Sequence, residues 1–221
     1  MGAFGNVLIA LLIIGGIALA IWYGRKRRKE LTAWAASKGL SFSHLRDRTF
    51  DDRYHAFGCL RRGHSRYGYN FATGTWGSRQ VTCFDYHYAT GSGKNRHDYH
   101  FSGVLMRSDV RLQPLRIRPE GIFDKVTEFF GVDDIDFESA EFSRAFHVKA
   151  QEKRWAYDVL HVRTMEFLLG MPRMSIQFDD HDVMVWKNRR FKPEQFEQAI
   201  AVAEGILDRL PPYLIEQQAS D

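Results

Sequence analysis

The chain has 221 residues, of which 44% are hydrophobic, 14% are aromatic and 26% are charged. This composition excludes a disordered chain and a low-complexity fibre, and the aromatic residues suffice to fill a sizeable core. The two cysteines exclude a disulfide framework. The net charge of +4 is local, because the basic segment Arg25–Lys29 contributes +5 and leaves −1 for the rest of the chain. We therefore expect no nucleic-acid partner.

An uncharged run lies near the N-terminus. Residues 7–23 carry no charged side chain, and 15 of these 17 residues are apolar. Extended back to Phe4, the run is about 20 residues long, which is the length that a helix needs to cross the hydrocarbon core of a bilayer. The basic segment follows at once, and positive flanks stay on the cytoplasmic side. The sequence thus predicts a single-pass helix in the cell inner membrane, with the N-terminus outside and the following domain cytoplasmic. The alternative is a signal peptide cleaved near Ala20, but the first six residues lack its usual positive charge.

This prediction divides the chain at residue 29. Residues 1–29 form the membrane anchor with its basic juxtamembrane segment, and residues 30–221 form the domain, whose division into sub-lobes 40–118 and 119–221 is left open. The bilayer is the first expected partner, and basic side chains near its surface attract anionic lipid headgroups. The residues assigned to this surface contact are Arg25, Lys26, Arg27, Arg28 and Lys29.

Small residues recur every four positions along the predicted membrane helix, at Gly16, Ala20 and Gly24. Small side chains let two helix backbones approach closely in lipid. The spacing therefore predicts a homodimer formed through this side of the helix.

The first half of the domain has the pattern of a helix followed by an antiparallel meander. A helix over Lys29–Lys38 is predicted to bury Leu31, Trp34 and Ala35 on one face. Alternating aromatic residues and glycine-containing turns then predict strands at residues 66–76, 79–89 and 96–107. A fourth strand is expected over residues 115–118.

The second half alternates short helices with strands. A helix after Pro119, striped with apolar residues from Ile122 to Phe130, is followed by three short helices around a strand at residues 146–149. A hairpin is predicted from residues 174–179 and 183–187. The last helix begins at Pro193. Its apolar stripe consists of Phe196, Ile200, Ala203, Leu207 and Leu210. Helices and antiparallel strands are segregated, so the fold class is α+β.

Residues 134–210 resemble part of an uncharacterised bacterial family of membrane-anchored proteins, a domain of unknown function. The resemblance is carried by Asp136–Val148, Arg154–Leu160 and Thr164–Leu169. It implies an N-terminal anchor and no known chemistry, and it supplies no catalytic residues.

Acidic and histidine side chains cluster around the second predicted turn, at Asp85, His87, His97 and His100. A zinc site needs three or four such ligands that converge. His97 and His100 are three residues apart, so they point to opposite faces of a regular strand. We therefore interpret the cluster first as a polar face of the sheet, and a metal site or an acid–base site is the secondary interpretation. No cofactor motif or catalytic motif occurs in the chain, and no cofactor is expected.

These observations predict a non-enzymatic interaction or scaffold domain held at the membrane, with an unknown protein partner. The alternatives are an enzyme, or a sensor of a small ligand, with a site near the His87/His100 hairpin. Titratable groups that converge in one pocket would favour the enzyme.

Overall fold

The computed structural model describes residues 3–121, 135 and 137–214. The helices are α1 (Ala3–Ser37), α2 (Phe50–Arg53), α3 (Ala140–Ala145), α4 (Lys153–Val159), α5 (Val162–Gly170) and α6 (Pro193–Leu207). The strands are β1 (Ser41–Ser43), β2 (His64–Trp76), β3 (Arg79–Thr90), β4 (His97–Pro119), β5 (Phe146–Ala150) and β6 (Ser175–Lys187). Short 3-10 turns occupy Gly58–Arg61 and Gly93–Asn95. The helix predicted after Pro119, with its stripe from Ile122 to Phe130, lies outside the described residues.

The six strands form one sheet, in which β1 to β5 pair in the order β1–β2–β3–β4–β5. Strand β6 pairs with β4 along residues that also pair with β3 or β5, so it lies on the opposite edge of β4 from both of these strands. Every pair is antiparallel. The α+β class and the β2–β3–β4 meander are therefore confirmed. Gly77, at φ +59°, occupies the β2–β3 turn in a conformation that favours glycine.

Two details of the predicted sheet are wrong. The expected third and fourth strands form a single strand, β4, which is 23 residues long and is irregular between Arg107 and Leu115. The expected hairpin at residues 174–187 is one strand, β6, that runs along β4. Asp180 has φ +48° at this irregularity, so the polar run that resembles a turn is a local distortion within a strand.

The sheet carries a hydrophobic core on each face. Alternate residues of β3 divide between them, since Val81 and Cys83 join one core whereas Phe84 and Tyr86 join the other. The larger core is covered by α1 and by α3–α6, and the predicted stripe of α6 is buried in it. The smaller core is covered by α2 and the first 3-10 turn.

Helix α1 runs without a break from Ala3 to Ser37, and Gly39 follows it at φ +71°. Leu31, Trp34 and Ala35 are buried, which confirms the face predicted for this part of the helix. The indole N–H of Trp34 donates to Glu197 Oε1 on α6 at 2.9 Å. The predicted boundary at residue 29 thus falls within one continuous helix.

Within the part of the chain that the structure describes, no helix has both the length and the apolar character needed to cross a bilayer. The predicted location, a single-pass inner-membrane protein with its N-terminus outside and its domain cytoplasmic, is therefore wrong. The uncharged run continues directly into Arg25–Lys29 within the same helix, so no helix end separates it from the basic segment.

Candidate functional site

The pairing of β3 with β4 brings several predicted site residues together. Asp85 lies directly opposite Ser102, and His87 lies directly opposite His100. All four belong to the sheet face that α1 covers. His97 differs in parity from His100, so it belongs to the opposite face, and it is exposed. Among the described residues, no group of three or more His, Cys, Asp or Glu side chains is arranged to hold a metal ion.

Asp85 is fully buried and accepts hydrogen bonds from three directions. Arg27 of α1 donates from Nε to Oδ2 at 2.8 Å and from Nη2 to Oδ1 at 2.6 Å, which makes a bidentate ion pair. The Ser102 hydroxyl donates to Oδ1 at 2.5 Å. Arg27 also donates to the Phe191 carbonyl at 2.8 Å, so one side chain joins α1, β3 and the segment after β6. This ion pair fixes α1 over the sheet.

A β-bulge in β2 supplies the third partner of Asp85. Tyr69 pairs with Asp85 and Ala72 pairs with Cys83, so β2 has one more residue than β3 over this interval. Asn70 takes the extra position at φ +51° and donates from Nδ2 to Asp85 Oδ2 at 2.9 Å. Because a carboxylate offers only acceptors, the amide nitrogen must face it. Asn70 Oδ1 is then buried with no hydrogen-bond partner.

Two adjoining cavities that share Arg46 and Tyr67 open beside this network, and we call them together the arginine cleft. The inner cavity, of about 150 Å³, is lined by Gly24, Arg27, Arg28, His44, Arg46, Tyr67, Tyr69, Asn70, His100 and Arg190. The outer cavity, of about 390 Å³, is lined by Arg46, Arg48, Ser65, Arg66, Tyr67, His87, Arg96 and Asp98.

Some of the cleft arginines are neutralised and others are not. Arg27, Arg66 and Arg96 form ion pairs with aspartates. Among the described residues, no ion pair joins an acidic side chain to the others, which are Arg28, Arg46, Arg48 and Arg190. The guanidinium of Arg46 lies 4.6 Å from the centroid of the Tyr67 ring. The cleft therefore has an excess of positive charge.

Two of the three cleft histidines, His87 and His100, are held by neighbouring side chains. The Tyr69 hydroxyl is 3.0 Å from His100 Nδ1, and His87 Nε2 is 2.8 Å from Asp98 Oδ1. Burial, then the positive charge of Arg190, lowers the pKa of His100 from 6.5 to about 4. Hydrogen bonds from Arg96 and His87 lower the pKa of Asp98 to about 2. At neutral pH His100 is therefore uncharged and adds no positive charge to the cleft.

The residues predicted to contact lipid headgroups divide into two groups. Arg27 is engaged with Asp85, and Arg28 lines the inner cavity. The other three, Arg25, Lys26 and Lys29, lie exposed on α1. Gly16, Ala20 and Gly24 are also exposed on this helix, and self-association through them stays a prediction.

Sequence reasoning missed three important cleft residues, namely Arg46, Asn70 and Arg190. Each comes from a segment that contacts α1 only in the folded chain, so no local pattern marks them. Arg27 did carry a signal, because it precedes the buried Leu31 by four residues and so shares its side of the helix.

No protein-family model matches the sequence, and no curated protein matches it. The fold is similar to the crystal structure of the mycobacterial trehalose monomycolate transport factor A, TtfA, with a TM-score of 0.64. The alignment covers 84% of this chain and 95% of TtfA at 12% sequence identity. At this identity the likeness shows a shared fold alone. The resemblance of residues 134–210 to an uncharacterised family stays a prediction.

Proposed function

We propose that this protein is a non-enzymatic binding domain whose arginine cleft takes an anionic group. The inner cavity carries the proposal, because Arg28, Arg46 and Arg190 contribute positive charge there and none of the described acidic side chains lines it. Arginine is well suited to this role, since its planar fork matches the oxygens of phosphate and carboxylate groups. The buried Asn70 Oδ1 offers an acceptor for a donor on the same ligand.

The histidine contacts support binding rather than acid–base catalysis. His100 is uncharged at neutral pH and interacts with Tyr69. Both ring nitrogens of His87 are engaged, one by the Ser65 carbonyl at 3.0 Å and the other by Asp98. Within the described residues, the Tyr69 phenol is the one hydroxyl that hydrogen-bonds to either ring, and His87 stacks on the Tyr67 ring. The similar structure is named as a transport factor, which also fits a binding role for this fold.

Calorimetric titration of the full chain with inorganic phosphate at constant ionic strength tests this proposal. A charge-assisted hydrogen bond contributes about 1.5–3 kcal/mol, so Arg46→Gln is expected to weaken phosphate binding by about tenfold or more. Arg163→Gln removes the same charge from an exposed position on α5 and is expected to leave the affinity unchanged. Absence of binding, or equal affinities for the two variants, would contradict the proposal.

A further inference from the structure

The N-terminal half of α1 presents a large apolar surface. Among the side chains that the structure describes there, eleven large aliphatic and aromatic ones are each more than half exposed, namely Leu8, Ile9, Leu11, Leu12, Ile13, Ile14, Ile17, Leu19, Ile21, Trp22 and Tyr23. A folded protein rarely leaves so long an apolar surface in water, and such patches mark interaction sites. The surface therefore needs an occupant.

A groove on one side of this helix leads from the apolar surface to the arginine cleft. It is lined by Ile17, Ala20, Ile21, Gly24, Arg25 and Arg28. The spacing of these residues keeps them on one side of the helix. Gly24 leaves the groove open, since a Cβ placed there would meet no atom within 4 Å. Gly24 and Arg28 also line the inner cavity, so the apolar groove adjoins the arginine cleft.

We infer that the ligand is an anionic lipid, whose acyl chain lies in the α1 groove and whose head group occupies the inner cavity. The inference rests on the function proposed above and adds the class of ligand. From the α1 groove to the inner cavity the lining changes from apolar to cationic side chains, and this order matches an acyl tail followed by an anionic head group. From Ile17 to Arg28 the helix rises about 16 Å, which is of the order of the length of a fatty acyl chain.

The buried amide of Asn70 adds a requirement on the head group. Its Oδ1 atom lacks a donor, although the residue is only 5% exposed and lines the inner cavity. Leaving such an acceptor unpaired costs free energy. A head group with a hydroxyl beside its anionic group, such as phosphoglycerol, supplies the missing donor while its phosphate meets Arg46 and Arg190.

Other occupants explain fewer of these features. A free phosphate fills the cleft but leaves the apolar groove uncovered. A second copy of α1 packed in parallel on the groove would bring Arg25 and Arg28 of both chains together, and like charges at close range repel. An anionic lipid covers the apolar side chains and neutralises the arginines at the same time.

Native mass spectrometry of the full chain with three probes tests the inference. The probes are glycerol phosphate, lysophosphatidylglycerol with one acyl chain, and lysophosphatidylcholine with the same chain and a zwitterionic head group. We expect lysophosphatidylglycerol to bind about tenfold or more tighter than either of the other two. Ile17→Ser should weaken lysophosphatidylglycerol binding severalfold and leave glycerol phosphate binding unchanged. Leu19→Ser is the matched control, because Leu19 is equally exposed but lies on the other side of the helix.

The outcomes separate this inference from the proposed function. If glycerol phosphate binds and lysophosphatidylglycerol binds no tighter, the lipid assignment is wrong and the anion-binding function stands. If none of the three probes binds, both are wrong. Equal affinities for the two lysolipids would overturn the head-group assignment, and equal losses in Ile17→Ser and Leu19→Ser would overturn the groove.

Discussion

Asp85 is the residue on which the contacts of the arginine cleft converge. It is fully buried, and Arg27, Asn70 and Ser102 all donate to it. Breaking one partner of a buried ion pair leaves the other charge uncompensated, which costs about 3–5 kcal/mol. We therefore expect Asp85→Asn to lower the free energy of unfolding by about 3 kcal/mol, measured by urea denaturation. Asp109→Asn, on an exposed position of β4, is the control and should change it by less than about 0.5 kcal/mol.

His100 makes stability depend on pH. Its pKa falls from 6.5 to about 4 on folding, mainly because the ring is buried. Between these values the unfolded chain binds a proton that the folded chain does not, so stability falls as the pH is lowered from about 6.5 to about 4. The full shift corresponds to about 3 kcal/mol, and solvent at the open side of the ring reduces the expected loss to about 1–2 kcal/mol. Urea denaturation across this range, with His100→Gln as the comparison, measures it. An equal pH dependence in the variant would contradict this assignment.

At the scale of secondary-structure elements, the sequence correctly predicts the helices and strands whose apolar residues recur at a regular spacing. Alternating aromatic residues identify β2, and the stripe from Phe196 to Leu210 identifies α6. The sequence pattern divides each of the long strands β4 and β6 in two, because each contains a distortion whose polar residues resemble a turn. The sequence does not predict the bulge at Asn70 either, because an extra residue in one strand can be recognised only when its pairing with the neighbouring strand is known.

The stripe of α6 gives a direct test of the larger core. Leu207 is 5% exposed and packs within that core. Removing a buried leucine side chain costs about 2–5 kcal/mol, because apolar burial is lost and a cavity remains. We expect Leu207→Ala to fall in that range in urea denaturation. Val162→Ala, at a position that is 62% exposed on α5, should change stability little. A similar small effect for Leu207→Ala would mean that α6 does not stabilise the sheet.

At the scale of the whole molecule, the fold class follows from local patterns, whereas the cleft does not. Its residues come from α1, from the segment after β1, from the three strands β2, β3 and β4, from the turn before β4 and from the segment after β6, so only tertiary structure brings them together. From the sequence alone, the cluster of positive charge at residues 25–29 indicates membrane topology and contact with lipid headgroups. In the structure, Arg27 instead holds α1 on the sheet through its ion pair with Asp85. A count of charges along the sequence does not distinguish Arg27 from the other four basic residues of the segment.

This role of Arg27 predicts opposite results for two truncations of α1. A chain beginning at Gly24 loses exposed side chains but keeps Arg27, Leu31 and Trp34, so its free energy of unfolding should stay within about 0.5 kcal/mol of the full chain.

A chain beginning at Lys29 loses Arg27 and leaves the buried Asp85 without its cation, which should lower the free energy of unfolding by about 3 kcal/mol or more. Asp85→Asn should then recover part of that loss, although it destabilises the full chain, because the uncompensated charge is removed. Urea denaturation of the two truncated chains, each with and without Asp85→Asn, measures these differences. If Asp85→Asn destabilised the shorter chain as much as the full one, the contribution of Asp85 would not depend on Arg27, and another contact would have to hold α1 on the sheet.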